Sequence, residues 1–296
     1  MPYVWFLVVC SIWGSSFILM KRAMLCLSPV AIGAIRDAGG ALVLAAFFLL
    51  AHRRMTLRRR DLLPLIGVAI LGFAWPHSIQ PELVQRIGSA FIGMTVGMTP
   101  LLTILVSIPI LGVFPTPRQA FGVIGALVCM ALLLKDEMRH SVSLADVLMA
   151  FSVPTTYSIA NSWIRRSLRH LPPLELTLLC LALASGMLLP LSMIVPDHRV
   201  IDPGHWGIAI AAVVTLGVAG TGFATFLFNK LVQEQGPLFA AMTTNLVPVG
   251  AIFWGWLDSE QITPTQIVAL AGILIMVTIV QFGAVQSPPV EPVVEC

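Results

Sequence analysis

The chain has 296 residues, 57% of them hydrophobic and only 10% charged, with a mean hydropathy of +0.92. Soluble domains carry about 25% charged residues, so this chain cannot clothe itself in polar surface and is expected in a lipid bilayer. A net charge of +3, scattered along the sequence, offers no basic patch for nucleic acid.

Ten apolar runs follow one another, each of a length that crosses about 30 Å of hydrocarbon as a helix. They are continuous rather than alternating, which argues against a β-barrel. The first run, 3–25, has no basic region before it and carries Lys21 and Arg22 near its end, the pattern of a retained span and not of a cleaved signal. Lys21 lies about five turns into that helix. It either snorkels to the headgroups or stays as a buried cation for a carboxylate or phosphate. The second run, 31–51, holds Arg36 and Asp37 side by side. Helical neighbours diverge by about 100°, so each is expected either to find a partner on another span or to reach the interface, in a structural role.

The cluster RRMTLRRR comes next, and then the third run, 62–80, which is broken by Pro76 and Pro81 around His77. An ionisable residue at membrane depth is a functional candidate by default. A neutral imidazole bonded to a carbonyl freed by proline is the alternative. Trp75, beside it, suits either the aromatic belt or a cavity wall. The fourth run, 88–111, opens with GSAFIGMTVGMTP, and the fifth covers 117–135.

In the sixth run, 144–164, Tyr157 and Asn161 are i, i+4 neighbours on one face, and Trp163 reads first as belt and second as cavity wall. The seventh run is 172–195, and the eighth, 205–230, contains Thr221, Thr225 and Asn229, whose bland role is interhelical hydrogen bonding. The ninth, 237–257, opens with GPLFAAMTTNLVP, and the tenth is 264–285. Glu175 and Glu234 lie near span ends and read as solvated. The five cysteines have no CxxC spacing, so neither a disulfide framework, a metal site nor a cofactor is expected.

The fourth and ninth runs repeat each other. Sliding Gly88 onto Gly236 pairs Phe91 with Phe239, Met94 with Met242, Thr95 with Thr243 and Pro100 with Pro248. Each Phe, Met and Thr set is spaced i, i+3, i+4, on one helical face. Each proline leaves a carbonyl one turn back, at Val96 and Thr244, without its usual donor, and hydrocarbon supplies none. The two faces read as symmetric cavity walls or as close packing through Gly93 and Gly97. Where the halves differ, Gly97 stands against Asn245. More weakly, SSFILMKR lies against TTYSIANS, placing Lys21 on Asn161. Two units of five spans, 1–140 and 141–286 with a tail 287–296, would enter the membrane in opposite senses.

These residues resemble the EamA-type ten-span permeases of the drug/metabolite transporter superfamily. The pattern W-G-S-x-F-x-x-x-K is present as Trp13, Gly14, Ser15, Phe17 and Lys21, and an Arg early in the second span as Arg36. The signature E-x-L/I-T-x-x-Q before the last span is present as Glu260, Ile262, Thr263 and Gln266. The chain departs from the pattern in three places. GVFPTP replaces an acidic residue before the fifth span, Ser16 replaces the usual Asn, and Asp37 stands where an apolar residue is commoner.

The resemblance implies an all-α integral membrane fold, with ten transmembrane helices as two inverted five-helix repeats around a central cavity. The first, third, fourth, sixth, eighth and ninth spans would line that cavity. The substrate-binding candidates are Trp13, Ser16, Lys21, Trp75, His77, Phe91, Thr95, Tyr157, Asn161, Thr243 and Asn245. The expected activity is secondary transport, as an exporter of small organic metabolites such as amino acids, with a proton as a coupling ion through His77. An intramembrane enzyme acting on lipid, or a solute channel, is the alternative. No HExxH, GxSxG or P-loop sequence is present.

Lys and Arg in the short loops set the orientation. With the N-terminus in the cytoplasm, inside loops hold ten of them and outside ends six, so both termini are expected on the cytoplasmic face of the inner (plasma) membrane. A reporter fused after Arg60 should therefore be active only in the cytoplasm, and periplasmic activity would invert the topology.

Overall fold

A computed structural model describes residues 2–139, 142–195, 197, 203–235 and 237–282. Among these residues the chain forms eleven helical rods and no strand. The first two are α1 (Pro2–Ala23) and α2 (Pro29–Leu50). Ser28 caps α2, its hydroxyl accepting from the Ala31 N–H at 3.1 Å, with Pro29 preset for the first turn. A long α3 covers Arg59–Ile87 and contains a π-turn at Ile70–Ala74. It stops at Gly88, whose φ of 102° a side chain would resist.

The rods α4 (Ser89–Gly97) and α5 (Thr99–Leu111) form one run bent by 41° at Met98. The bend has a local cause. Pro100 cannot donate to the Val96 carbonyl, and the Thr99 hydroxyl donates to it instead, at 2.6 Å. Next come α6 (Pro117–Arg139), α7 (Leu144–Trp163, extended by a π-turn at Ile164–Leu168) and α8 (Pro173–Ile194). The ninth rod, α9, starts as Trp206–Thr215, passes through a π-turn at Leu216–Phe223 and ends as Ala224–Gln235. Last are α10 (Pro237–Leu257) and α11 (Pro264–Phe282).

Each of the ten apolar runs is helical over most of its described residues. By length and apolarity alone, seven helical stretches among the described residues can cross a membrane, or eight when the bent α4–α5 pair is one span. The protein is thus an all-helical membrane protein. The rod α7 is less apolar because it carries a ladder of hydroxyls. Those of Ser152, Thr155, Thr156 and Ser158 each donate to a carbonyl three or four residues back, at 2.7–3.0 Å. Such back-bonding removes most of the cost of a hydroxyl in hydrocarbon.

The packing has an internal symmetry. Second-place rods α2 and α8 run antiparallel, with Gly33 meeting Leu188 and Gly40 meeting Leu181. So do α4 and α10, where Gly93 meets Ala251 and Gly97 meets Pro248, and α6 and α11, where Gly122 meets Val280 and Gly125 meets Met276. Gly14 of α1 comes so close to Gly250 of α10 that a Cβ there would lie 2.8 Å from the Gly250 Cα. Exchanging the two halves turns this α1–α10 contact into the α7–α5 contact, where Ser158 donates to the Thr99 carbonyl at 3.1 Å. Two of the three π-turns correspond as well: Ile70–Ala74, moved by the shift that carries Gly88 onto Gly236, falls within Leu216–Phe223.

One expectation is overturned. Glu175, read as solvated, is fully buried and accepts from the Thr56 N–H (2.7 Å), the Thr56 hydroxyl (2.8 Å) and the Leu57 N–H (2.9 Å). The loop after α2 folds back over the start of α8, and its otherwise orphaned N–H groups need an acceptor. The side chains of Asn229, Glu234, Phe239 and Met242, and the tail 287–296, lie outside the described residues.

Gly93→Ala would place a Cβ 2.3 Å from the Ala251 Cβ, a clash that no rotation relieves. It should destabilise the fold by roughly 1–3 kcal/mol, seen as a lower thermal-aggregation midpoint in detergent. Gly186→Ala, whose Cβ meets nothing within 4 Å, should leave the midpoint unchanged. Equal midpoints would mean that the α4–α10 contact is not tight.

Candidate functional site

The divergence expected of Arg36 and Asp37 is what places them. Asp37, fully buried on α2, reaches across to α3, where its Oδ1 lies 2.5 Å from His77 Nδ1. The two helices can come this close because Gly33 has no side chain: a Cβ there would lie 2.8 Å from the His77 carbonyl oxygen. The Phe73 ring stands edge-on to the imidazole at 5.8 Å. Asp37 Oδ2 is buried and has no hydrogen-bond partner among the described residues, which costs free energy unless a proton, water or ligand meets it.

Arg36 turns the other way, toward α9. Its Nε donates to the Thr221 hydroxyl at 2.8 Å, and that hydroxyl donates to the Leu216 carbonyl at 3.2 Å. Thr221 sits within the π-turn, where the widened spiral leaves a carbonyl in need of a donor. Gly39 and Gly217 allow α2 and α9 to touch at this level. Tyr157 of α7 lies within electrostatic reach of both Arg36 and Asp37.

On the other side of the same π-turn, Trp13 Nε1 donates to the Gly220 carbonyl at 3.0 Å. The buried Ser16 hydroxyl would be 3.5 Å from a Cβ at Gly220, and it bonds back to Ile12 at 3.2 Å. The cluster therefore joins α1, α2, α3, α7 and α9. It brings together Trp13, Ser16, His77 and Tyr157 from the sequence candidates and adds Arg36, Asp37 and Thr221.

Phe91, Thr95 and Thr243 are also fully buried, where α4 meets α10. Thr95 donates to the Ile92 carbonyl at 2.8 Å, and the Thr243 carbonyl accepts from Cys10 Sγ at 3.6 Å. The remaining candidates lie elsewhere. Trp75 is 41% exposed and donates to Ser152 at 3.0 Å. Asn245 exchanges hydrogen bonds with Gln281 of α11, the shorter at 2.7 Å.

Lys21, at the end of α1, pairs with Asp258 and, at 3.1 Å, with Glu260. Arg22 also pairs with Asp258. Glu260 in turn accepts from the Ser89 N–H at 3.0 Å and the Ser89 hydroxyl at 3.0 Å, so one carboxylate ties together α1, the α10–α11 turn and the start of α4. The repeat mate of Lys21, Asn161, is at the opposite end. There it lines a cavity of about 140 Å³ with Thr103, Ser107, Phe114, Gln119 and Arg165.

Adjacency of Arg36 and Asp37 signalled two partners, but nothing in the sequence named His77 and Thr221 as those partners. Asp258 and Gln281 carried no local signal.

The EamA-like transporter family model matches residues 1–135 and again 144–282. The chain is 22% identical over 256 residues to the uncharacterized transporter YoaV of Bacillus subtilis (strain 168), covering 85% of this chain and 87% of that one. It is 21% identical over 277 residues to the S-adenosylmethionine/S-adenosylhomocysteine transporter of Chlamydia trachomatis serovar L2, covering 90% and 84%. A solved crystal structure of a protein 18% identical superposes with a TM-score of 0.67 over 97% of this chain and 99% of its own, a likeness of fold. With two successive family matches spanning almost every helix described above, the chain belongs to the EamA-like transporter family and is a membrane transporter, not an enzyme.

Proposed function

We propose that this transporter moves small organic solutes of the amino-acid kind, as an exporter, by alternating access between two inverted five-span units, 1–140 and 141–286. Its ten spans would surround a central cavity, with both termini on the cytoplasmic face of the plasma membrane. The antiparallel packing of three pairs of repeat mates, α2 with α8, α4 with α10 and α6 with α11, supports the inverted plan.

The observation that carries the functional reading is the buried Asp37–His77 pair with its Arg36–Thr221 neighbour. Insertion scales charge about 2.5–3.5 kcal/mol for an Asp or Arg at the centre of a span. An isolated structural role would be served by apolar packing at less cost. Asp37 and Phe73 face His77, and Arg36, next to Asp37 on α2 but turned to Thr221, adds its charge to the same cluster. With His77 neutral, the carboxylate and guanidinium cancel; with His77 protonated, the cluster carries one positive charge. That difference couples a proton to any step that changes the exposure of the cluster. A zwitterionic solute would present its carboxylate to Arg36 and its ammonium to Asp37 Oδ2. The S-adenosylmethionine transporter among the relatives widens the panel of zwitterions to be tried.

The two ends of the molecule differ in a way that suits such a cycle. The Lys21, Arg22, Asp258, Glu260 and Ser89 network closes the end assigned to the outside. At the other end Asn161 has no charge, and GVFPTP supplies no carboxylate. The contact that repeats this network at the other end, around Asn161 and GVFPTP, has no ion pair among the described residues, so the outward gate is the one held by charge.

In proteoliposome counterflow against amino acids, nucleosides, sugars, cationic dyes and S-adenosylmethionine, at least one zwitterion should exchange faster than in empty vesicles. His77→Gln should flatten the dependence of that exchange on pH between about 5 and 8, and Asp37→Asn should slow it about tenfold or more. Unchanged rates and an unchanged pH profile in both variants would remove the pair from the cycle.

Glu260→Ala strips the Ser89 N–H and Lys21 of a shared acceptor, a loss of about 1–3 kcal/mol on the outward-closed state. The buried Cys26, in the turn after α1, should then react faster with a membrane-impermeant maleimide added outside. Labelling at the wild-type rate would show that the network is not a gate.

A further inference from the structure

A cavity of about 720 Å³ lies well away from the central cluster, where α2 ends, α8 begins and α9 passes by. None of Arg36, Asp37, His77 or Tyr157 lines it. Its wall is apolar, built on Phe47 of α2 and Phe226 of α9, whose rings stack at 4.2 Å and 10°, and continued by Leu50, which is 78% exposed. Its rim is cationic: Arg53, Arg54 and Lys230. Neither arginine takes part in an ion pair among the described residues. The one carboxylate in the lining, Glu175, is already turned to the Thr56 and Leu57 N–H groups and the Thr56 hydroxyl, and so holds the basic loop in place over the cavity.

The level of this cavity in the bilayer follows from α2. Its 22 residues are enough to cross the hydrocarbon, so the chain leaves the membrane as it passes from Leu50 to Arg53. The apolar wall is then at acyl-chain depth and the arginines at headgroup depth. A soluble anion would use the rim and leave the apolar wall that runs from the phenylalanine pair to Leu50 uncovered. A molecule with a phosphate at one end and hydrocarbon at the other satisfies both.

We propose that this cavity is a binding site for one anionic phospholipid of the cytoplasmic leaflet, its phosphate against Arg53 and Arg54 and an acyl chain along Phe47, Phe226 and Leu50. The inference needs only the membrane placement of α2 and the orientation assigned above. It stands or falls separately from the solute and the proton coupling, because its readout is lipid retention and not flux.

The test is native mass spectrometry of the purified full chain, incubated with dioleoyl phosphatidylglycerol or dioleoyl phosphatidylcholine. One phosphatidylglycerol should be retained about tenfold more than phosphatidylcholine. Arg53→Gln/Arg54→Gln should abolish that preference, whereas Arg59→Gln/Arg60→Gln, which removes the same charge outside the cavity, should keep it. Arg54→Gln alone, with a partial loss expected, covers failure of the double variant to fold. Equal retention of the two lipids, or equal loss in both double variants, overturns the proposal. Displacement of the bound phosphatidylglycerol by millimolar inorganic phosphate would reassign the cavity to a soluble anion and overturn it as well.

Discussion

The close passage of α10 against α1 and α4 is the contact on which the rest of the structure depends. Lipid tails are as apolar as leucine, so helices in a bilayer are not driven together by the hydrophobic effect; they associate through close packing and a few polar contacts. Here the closeness comes from missing side chains: Gly14 against Gly250, Gly93 against Ala251, Gly97 against Pro248. Those contacts bring Phe91, Met94 and Thr95 to full burial, and they join the first family match to the second.

The second constraint is that every polar group at membrane depth needs a partner inside the protein. Most are met locally. Hydroxyls bond to carbonyls a turn away, and Thr99 takes the carbonyl that Pro100 strands. Asn245 and Gln281 satisfy each other. Glu175 and Glu260 do the same work at opposite ends, each binding the N–H groups of a segment that would otherwise be loose. Among the described residues two buried side-chain oxygens lack a partner, Asp37 Oδ2 and Ser162 Oγ, and of these only Asp37 belongs to a convergence of a carboxylate, an imidazole and a guanidinium, beside the π-turns of α3 and α9.

Symmetry accounts for the framework, and its violations concentrate where a transporter has to choose. The π-turns of α3 and α9 are repeat mates, yet only the first is followed by a histidine and only the second carries the threonine that holds Arg36. Lys21 meets two carboxylates, whereas Asn161 faces a small open cavity. A symmetric molecule would bind the same way from both sides.

Much of this architecture was legible in the amino-acid order. Apolar runs cannot be anything but membrane helices, because only a helix satisfies its own backbone in hydrocarbon, and the shared Phe, Met, Thr and Pro exposed the duplication. The bend at Met98 could be anticipated from Pro100, and the separate partners of Arg36 and Asp37 from their adjacency. What no local pattern held was which helices meet. That Asp37 faces His77, that Asn245 turns to the buried Gln281, and that Glu175 is buried under a basic loop are facts of relative rotation and depth. The sequence by itself determined the solvent, the helices and the repeat, since these follow from composition and periodicity. Only the tertiary structure decided these partners, because one 36 or more residues away is chosen by how rigid helices pack and not by its neighbours in the chain.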